Sequence, residues 1–481
     1  MNNATAANYL AIVKDELGTR LKPLLEPGLH QQIAMCGQYI LANMVTDARH
    51  RPAMEASAMD DIAKLVDSMK SLLTSSDGAQ LVEKLEAQLQ GPRDFHAVEV
   101  ILQALSRQLA AHADRGNSAR LNKALVGIET RLHADFRRAY LDEITRSAVT
   151  TDNKQALSAE QLDRLTAWLH ERFPGNESLE IKGIKQIPGG SSKHTIFLFL
   201  NHAKTLPDTV VVRLDWSGSA VGTTVTDEFS IIETLFAAGV KVPQPFALEA
   251  SGSVLGGPFL LVSKAEGSNP GDSFEVSNGS KAFALDLARN LARLHAVPVE
   301  AFGNKVAGAN ESTCDRMLRE IAKFEADWRA LDQPSASVET AYDWLKKNIA
   351  LADGPRCLIH KDPGCHNMLA YEDKLSVLLD WETAAIGNPA QDLGYLAALM
   401  MQLCDWSEFM AAYVEAGGPA VSQAQIEYYK LWGYTWVNTM VMQAQAAFEA
   451  GLVNEVRAGF AGTYFVARTN ARLTDQLISM L

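Results

Sequence analysis

Cysteine is scarce in this chain. Five in 481 residues (Cys36, Cys314, Cys357, Cys365 and Cys404), an odd number without C-x-x-C spacing, give neither a disulfide framework nor a structural zinc set and fit a reducing compartment. Cationic excess is also missing. Lys and Arg number 44 against 57 Asp and Glu, a net charge of −13 with a pI near 5.4, which argues against nucleic acid because phosphate backbones are held by clustered Lys and Arg. No charge-free apolar stretch reaches the roughly 18 residues that a membrane helix requires. The longest candidate, Leu393 to Cys404, reads as a buried helix. Met1 to Ala7 carry no basic segment leading into an apolar core, so no secretory signal is expected. A cytoplasmic protein with neither nucleic acid nor membrane as partner is predicted.

What is present is an ordinary globular composition, 47% apolar and 21% charged, enough for about three domains. A polar stretch, Thr150 to Gln155, divides the chain. Before it, apolar residues at three and four spacing predict helices over Asn8–Leu21, His30–Ala48, Met59–Leu73, Ala79–Leu89, Phe95–His112 and Leu121–Ile144. After it, Ser158-Ala159-Glu160-Gln161 reads as a capping box opening a helix to Phe173. Leu179 to Val262 is rich in strand signals, and the residues beyond Gly387 are helical again, over Ala397–Ala416, Gln423–Gly451 and Ala461–Leu481. The expected organisation is a helical bundle of unassigned role (1–150), a strand-rich lobe (158–268) and a helical lobe (269–481).

The chemistry concentrates between Leu358 and Glu382. His360-x-Asp362-x-x-x-x-Asn367 keeps the spacing of the protein-kinase catalytic loop, and Asp380-Trp381-Glu382 follows a short polar turn later. Phosphoryl transfer needs a carboxylate to accept the acceptor's proton and oxygen ligands to hold magnesium against a triphosphate. Asp362 fits the base; Asn367 and Asp380 fit the ligands. The flanking runs Leu358-Ile359 and Val377-Leu378-Leu379 read as short buried strands that aim these groups at one point. Asp362, Asp380 and Glu382 would repel one another without a cation, so the active arrangement is expected to depend on metal.

With Gly387-Asn388-Pro389 and Asp392-Leu393 following, this stretch resembles the aminoglycoside phosphotransferase and choline kinase family, and within it the acyl-CoA dehydrogenase-associated branch. The resemblance covers about two thirds of the chain and leaves the first 150 residues outside. It implies an α+β, bilobal protein-kinase-like fold, with a small antiparallel β lobe and a mainly helical large lobe, here preceded by an all-α domain. It implies Mg2+ and ATP as co-substrate, with GTP left open, and a small-molecule hydroxyl acceptor. His360 is grouped with Asp362 in the catalytic loop, in the family as a supporting residue, and Asp392 as a brace.

Kinship also places a nucleotide lobe upstream. Pro188-Gly189-Gly190-Ser191-Ser192-Lys193-His194 lies between two β-rich runs, where Gly189, Gly190, Ser191 and Ser192 would fold over phosphates. Thr209 to Val212 leads into Arg213, where kinases carry a lysine; arginine keeps the charge and grips phosphate bidentately. Glu228, on the helix Asp227–Ala238, is the implied partner. Phe259 to Val262 and the segment after it resemble the hinge, with Ser263 and Ala265 offering main-chain groups to the base. His295 reads as a packed core residue; Cys365 and His366, adjacent and pointing apart, do not form a nucleophile pair, and Cys365 reads as loop filler near Asn367.

In this family the acceptor pocket is built from C-terminal helices. Here Tyr428, Tyr429, Trp432, Tyr434, Trp436, Asn438 and Gln443 favour an apolar or amphipathic hydroxyl compound. Two rivals stand beside a working kinase: a silent nucleotide-binding scaffold, and a hydroxyacyl-CoA or hydroxy-acid kinase feeding a dehydrogenase. The helical first third is expected to pack on the lobes or to form a homodimer.

Overall fold

Among the described residues, the apolar spacing before residue 150 becomes helices α1 (Leu29–Ala63), α2 (Val66–Leu72), α3 (Ser76–Gln90), α4 (Phe95–Ala111) and α5 (Arg115–Ile144). The computed structural model describes residues 10–11, 13–15, 17–18, 22, 29–90, 94–111, 115–144, 157–187, 193–215, 224–303, 306–331, 333–449 and 456–481. Half of the expected helix Asn8–Leu21 lies outside them. The expected break after Ala48 is absent: α1 runs through Pro52. Proline removes one ladder bond, yet Ala42, Val45, Ala58, Met59 and Ile62 stay buried on either side of it, so packing outweighs the local cost.

The chain forms two units. The first joins Met1–Thr151 to Met317–Ala350 and Lys430–Leu481. The sequence reading had assigned the latter two stretches to the catalytic lobe with the rest of 269–481. A buried polar knot accounts for the difference: Ser106 donates to Asn122 Oδ1 at 2.9 Å, and Asn122 Nδ2 donates to Thr340 Oγ1 at 3.1 Å. Thr340 lies on α10 (Ala336–Lys347), which follows α9 (Thr313–Arg329). Glu129 of α5 accepts from the Ser337 N–H at 2.8 Å and from the Ser335 and Ser337 hydroxyls. Such local polarity is invisible to apolar periodicity.

The second unit comprises Asp152–Arg316 and Leu351–Tyr429. Helix α6 (Ala159–Arg172) starts on the expected capping box, with the Gln161 N–H donating to Ser158 Oγ at 3.2 Å and the Ser158 N–H to Gln161 Oε1 at 2.9 Å. A five-stranded antiparallel sheet follows in the order β1-β2-β3-β5-β4, from β1 (Glu180–Ile187), β2 (Lys193–Asn201), β3 (Thr209–Asp215), β4 (Pro245–Glu249) and β5 (Phe259–Ser263). Its buried face carries Ile196, Leu198, Val210, Val212, Phe259 and Leu261 against Leu165 and Leu169 of α6. Helix α7 (Val225–Ala237) is capped by Thr224.

After α8 (Lys281–His295), strand β6 (Cys357–Ile359) pairs with β9 (Ala385–Gly387), and β7 (Met368–Tyr371) with β8 (Lys374–Leu378). The helix expected over Ala397–Ala416 is divided into α11 (Ala390–Met400) and α12 (Trp406–Glu415), because Asp405 is extended (φ −64°, ψ 136°) and restarts the ladder. Beyond lie α13 (Gln423–Glu449) and α14 (Val456–Met480). No helix among the described residues is long and apolar enough to cross a membrane.

Candidate active site

The loop between β6 and β7 is held from below by one carboxylate. Asp392, fully buried at the start of α11, accepts the N–H of His360 and the N–H of Lys361, each at 2.8 Å, and faces His295 Nε2 at 3.1 Å. Those bonds let Lys361 keep a left-handed φ of +70°, costly for a residue with a side chain unless its surroundings impose it. His360 turns inward: Nε2 donates to the Leu379 carbonyl at 2.8 Å, and its ring centre lies 4.6 Å from that of Trp381. It ties the loop to the Asp380 segment. Grouped with Asp362 from the motif, His360 points away from it, toward the Leu379 carbonyl and Trp381.

Asp362 is the centre of the loop. Asn367 Nδ2 donates to its Oδ2 at 3.0 Å and to its carbonyl at 3.1 Å, while His366 Nε2 faces the same Oδ2 at 3.3 Å. Burial pushes the Asp362 carboxyl up, but His366, the Tyr395 hydroxyl and His360 outweigh it and hold the pKa at about 2. Among the described residues, its Oδ1 is buried without a hydrogen-bond donor in bonding geometry. Burial works against charge on His366 too, yet the Asp362 carboxylate raises its pKa above the usual value. The ring reaches Asp362 by folding over Gly364, where a Cβ would stand 2.5 Å from it. His366 is weighed in the sequence only as half of a rejected nucleophile pair, because one residue name carries no direction; the glycine two positions earlier is the available signal.

Asp380 follows β8 in a left-handed conformation, φ +66°. The Leu379 N–H donates to the Asn367 carbonyl at 2.8 Å, which sets Asp380 next to the loop. Its Oδ1 accepts from Arg213 Nη2 at 2.8 Å. Arg213 in turn faces Glu228 Oε1 at 3.3 Å, the pair expected from β3 and α7. Burial opposes the charge on Arg213, but Glu228, Asp380 and Glu382 keep it firmly protonated. Among the described residues, its Nε is buried without an acceptor. Lys193 was not singled out in sequence. Its Nζ lies 2.8 Å from Glu382 Oε2 and 3.4 Å from Glu228 Oε2. Hairpin register was the missing signal, since Thr195 pairs with Arg213 and puts Lys193 diagonally beside it on the same face.

Gly189, Gly190, Ser191 and Ser192 lie outside the described residues. At the hinge, the Ser263 N–H donates to the Gln244 carbonyl and its hydroxyl accepts from the Gln244 N–H, both at 2.9 Å, so Ser263 is engaged within the sheet; Ala265 has no such bond among the described residues. On the aromatic helix, Tyr428, Tyr429, Trp432 and Asn438 are fully buried and Trp436 nearly so, with Trp432 and Trp436 edge-on to Phe324, while Tyr434 and Gln443 are half-buried. Packing accounts for the residue types of the buried ones. Cys365 is buried, and burial pushes its thiol up to about 12, which leaves it no thiolate.

No group of three His, Cys, Asp or Glu side chains capable of holding a metal occurs among the described residues. Magnesium does not require one, because it keeps several waters and takes one or two protein oxygens beside substrate phosphates. The donors fit that chemistry. Asn367 spends both bonds of its nitrogen on Asp362, leaving the amide oxygen, and Asp380 spends one oxygen on Arg213.

Acyl-CoA dehydrogenase family member 11 of Rattus norvegicus and of Mus musculus are 26% and 27% identical to this chain over 265 residues, 52% of this chain and 32% of each relative. The chain thus spans about a third of the length of the curated relatives it matches. Among solved structures, a Ralstonia eutropha JMP134 protein assigned as an aminoglycoside phosphotransferase superposes with a TM-score of 0.52 at 19% identity, over 66% of this chain and 97% of that one. That likeness shows the fold. The model of the phosphotransferase enzyme family matches residues 183–432, from β1 through the catalytic loop and past Asp392, and the chain belongs to that family.

Proposed function

We propose that this protein is an ATP-dependent small-molecule kinase that transfers the γ-phosphoryl group to a hydroxyl. The observation that carries this reading is the tie among its four charged parts: Asp362 fixed by Asn367, and Asp380 bound to Arg213, which Glu228 holds. A scaffold that only bound nucleotide would have no physical need for an ionised, oriented Asp362 beside the other three.

Asp362 acts first as an orienting acceptor. With a pKa of about 2 it is a weak base toward a neutral hydroxyl, so it aligns the O–H and takes the proton only as the new phosphorus–oxygen bond makes that proton acidic. His366 and Asn367 hold the carboxylate in one rotamer for that alignment. Arg213, charged and with Nε unserved, meets the departing phosphates. Asn367 and Asp380 would hold Mg2+, which when bound supplies charge neutralisation for the triphosphate. ATP is taken as donor from the family pattern, with GTP tested in the same assay.

A second reading concerns the acceptor. The Asp362 carboxylate raises the His366 pKa, which makes this side of the site more favourable to a hydroxyl compound that is itself anionic, and the similarity to acyl-CoA dehydrogenase family member 11 suggests hydroxy acids or hydroxyacyl-CoAs. Phosphate transfer from ATP should be screened across hydroxy acids, hydroxyacyl-CoAs, sugars, amino alcohols and aminoglycosides. Transfer to one class identifies the acceptor. Failure to bind any nucleotide would defeat the kinase reading.

A further inference from the structure

Glu228 is shared between two cations. Its Oε1 faces Arg213 at 3.3 Å and the Trp381 N–H at 3.4 Å, whereas its Oε2 faces Lys193 at 3.4 Å. Lys193 also holds Glu382 at 2.8 Å, with only 3% of its own side chain exposed. Burial alone would strip such a lysine of its charge; Glu228 and Glu382 reverse that and raise its pKa. Kinase logic needs one cation opposite the helix glutamate. This site has two.

We propose that Lys193 is a positioning residue for nucleotide: by occupying Glu382 and the second oxygen of Glu228, it keeps Arg213 and Asp380 available to the triphosphate and its metal. The inference rests on the kinase reading above. Glu228, Asp380 and Glu382 carry three negative charges, and Lys193 with Arg213 carry two positive ones. Without Lys193 the remaining guanidinium faces all three carboxylates, and the pocket presents one more negative charge to an anion of about four. In a partly buried site one unbalanced charge weakens anion binding by roughly ten- to a hundredfold. Lys193 need not touch phosphate to have this effect.

A lysine that merely pinned β2 to the Trp381 segment would behave otherwise, and charge balance separates the two roles. Affinity for ATP with Mg2+, together with KM and kcat, is measured on the full chain for the wild type, Lys193→Met, Glu382→Gln and the double variant. The expected result is that Lys193→Met weakens ATP binding about tenfold or more, with the loss falling on KM for ATP rather than on kcat. Glu382→Gln alone binds ATP at least as tightly as the wild type, and the double variant regains most of what Lys193→Met loses. Should Lys193→Met fail to fold, Glu382→Gln alone decides: weaker ATP binding overturns the proposal. It is equally overturned if Lys193→Met binds as the wild type does, or if the double variant is no better than Lys193→Met. Absence of ATP binding by the wild type would instead remove the kinase reading, and this inference with it.

Discussion

The Asn367 amide nitrogen stands 3.0 Å from Asp362 Oδ2 and 3.1 Å from the Asp362 carbonyl, so one side chain fixes both the carboxylate and the backbone of the residue it serves. That geometry makes Asp362 an oriented acceptor rather than a tethered charge. Asp362→Asn keeps the shape and removes the acceptor. The expected outcome is a fall in kcat of about 10²–10⁴-fold with ATP affinity nearly intact; steady-state kinetics with parallel binding measurements checks it. An equal loss in binding would mean that Asp362 holds nucleotide instead.

Arg213 joins Asp380 to a Glu228 that has no exposed side-chain surface. Arg213→Ala leaves that glutamate with Lys193 as its one remaining cation, beside the Trp381 N–H, and should cost about 3–5 kcal/mol of stability, together with most of the affinity for ATP. Denaturant melts and nucleotide titration read the two effects separately. Unchanged ATP binding would rule out the phosphate role of Arg213.

Much of this site was legible because it depends on residue type at fixed spacing. His360, Asp362 and Asn367 sit on the loop between β6 and β7, Asp380 follows β8, and a β-branched run delivered Arg213 to Glu228. Direction was not legible. His366 reads the same whether its ring faces solvent or Asp362, and Lys193 joins the network only through hairpin register. The aromatic residues of α13 are ambiguous for the same reason: a buried tyrosine and a pocket tyrosine share a letter. Grouping was hidden as well, since the bonds from Ser106 and Asn122 to Thr340 cross more than two hundred residues.

Asp392 offers a test of the brace. It takes two backbone N–H groups and His295 in full burial, so Asp392→Ala strands three donors and should cost about 3–5 kcal/mol. Thermal or denaturant unfolding measures it, and kcat should fall with the loosened loop. A variant with wild-type stability would show that the loop is held elsewhere.

The helical unit carries its own pH signature. Burial, reinforced by Glu129, raises the Glu99 carboxyl to about 8. A folded pKa above the unfolded one means the group's contribution is fully present below about 4.3, the unfolded value, and is lost as pH rises through about 8. Glu99→Gln should therefore melt higher than the wild type at pH 8 to 9, with the gap closing toward pH 4. Melting temperatures across that range check the sign, and a gap that widens in acid would reverse it.

The central claim is that Asp362, Asn367 and Asp380 serve one triphosphate and its metal. Melting of the full chain with ATP, with Mg2+, and with both tests it most directly, in the wild type and in Asp380→Ala. ATP and Mg2+ together should raise the wild-type melting temperature well above either alone, and Asp380→Ala should lose this synergy. Identical wild-type melting curves under all conditions would contradict it.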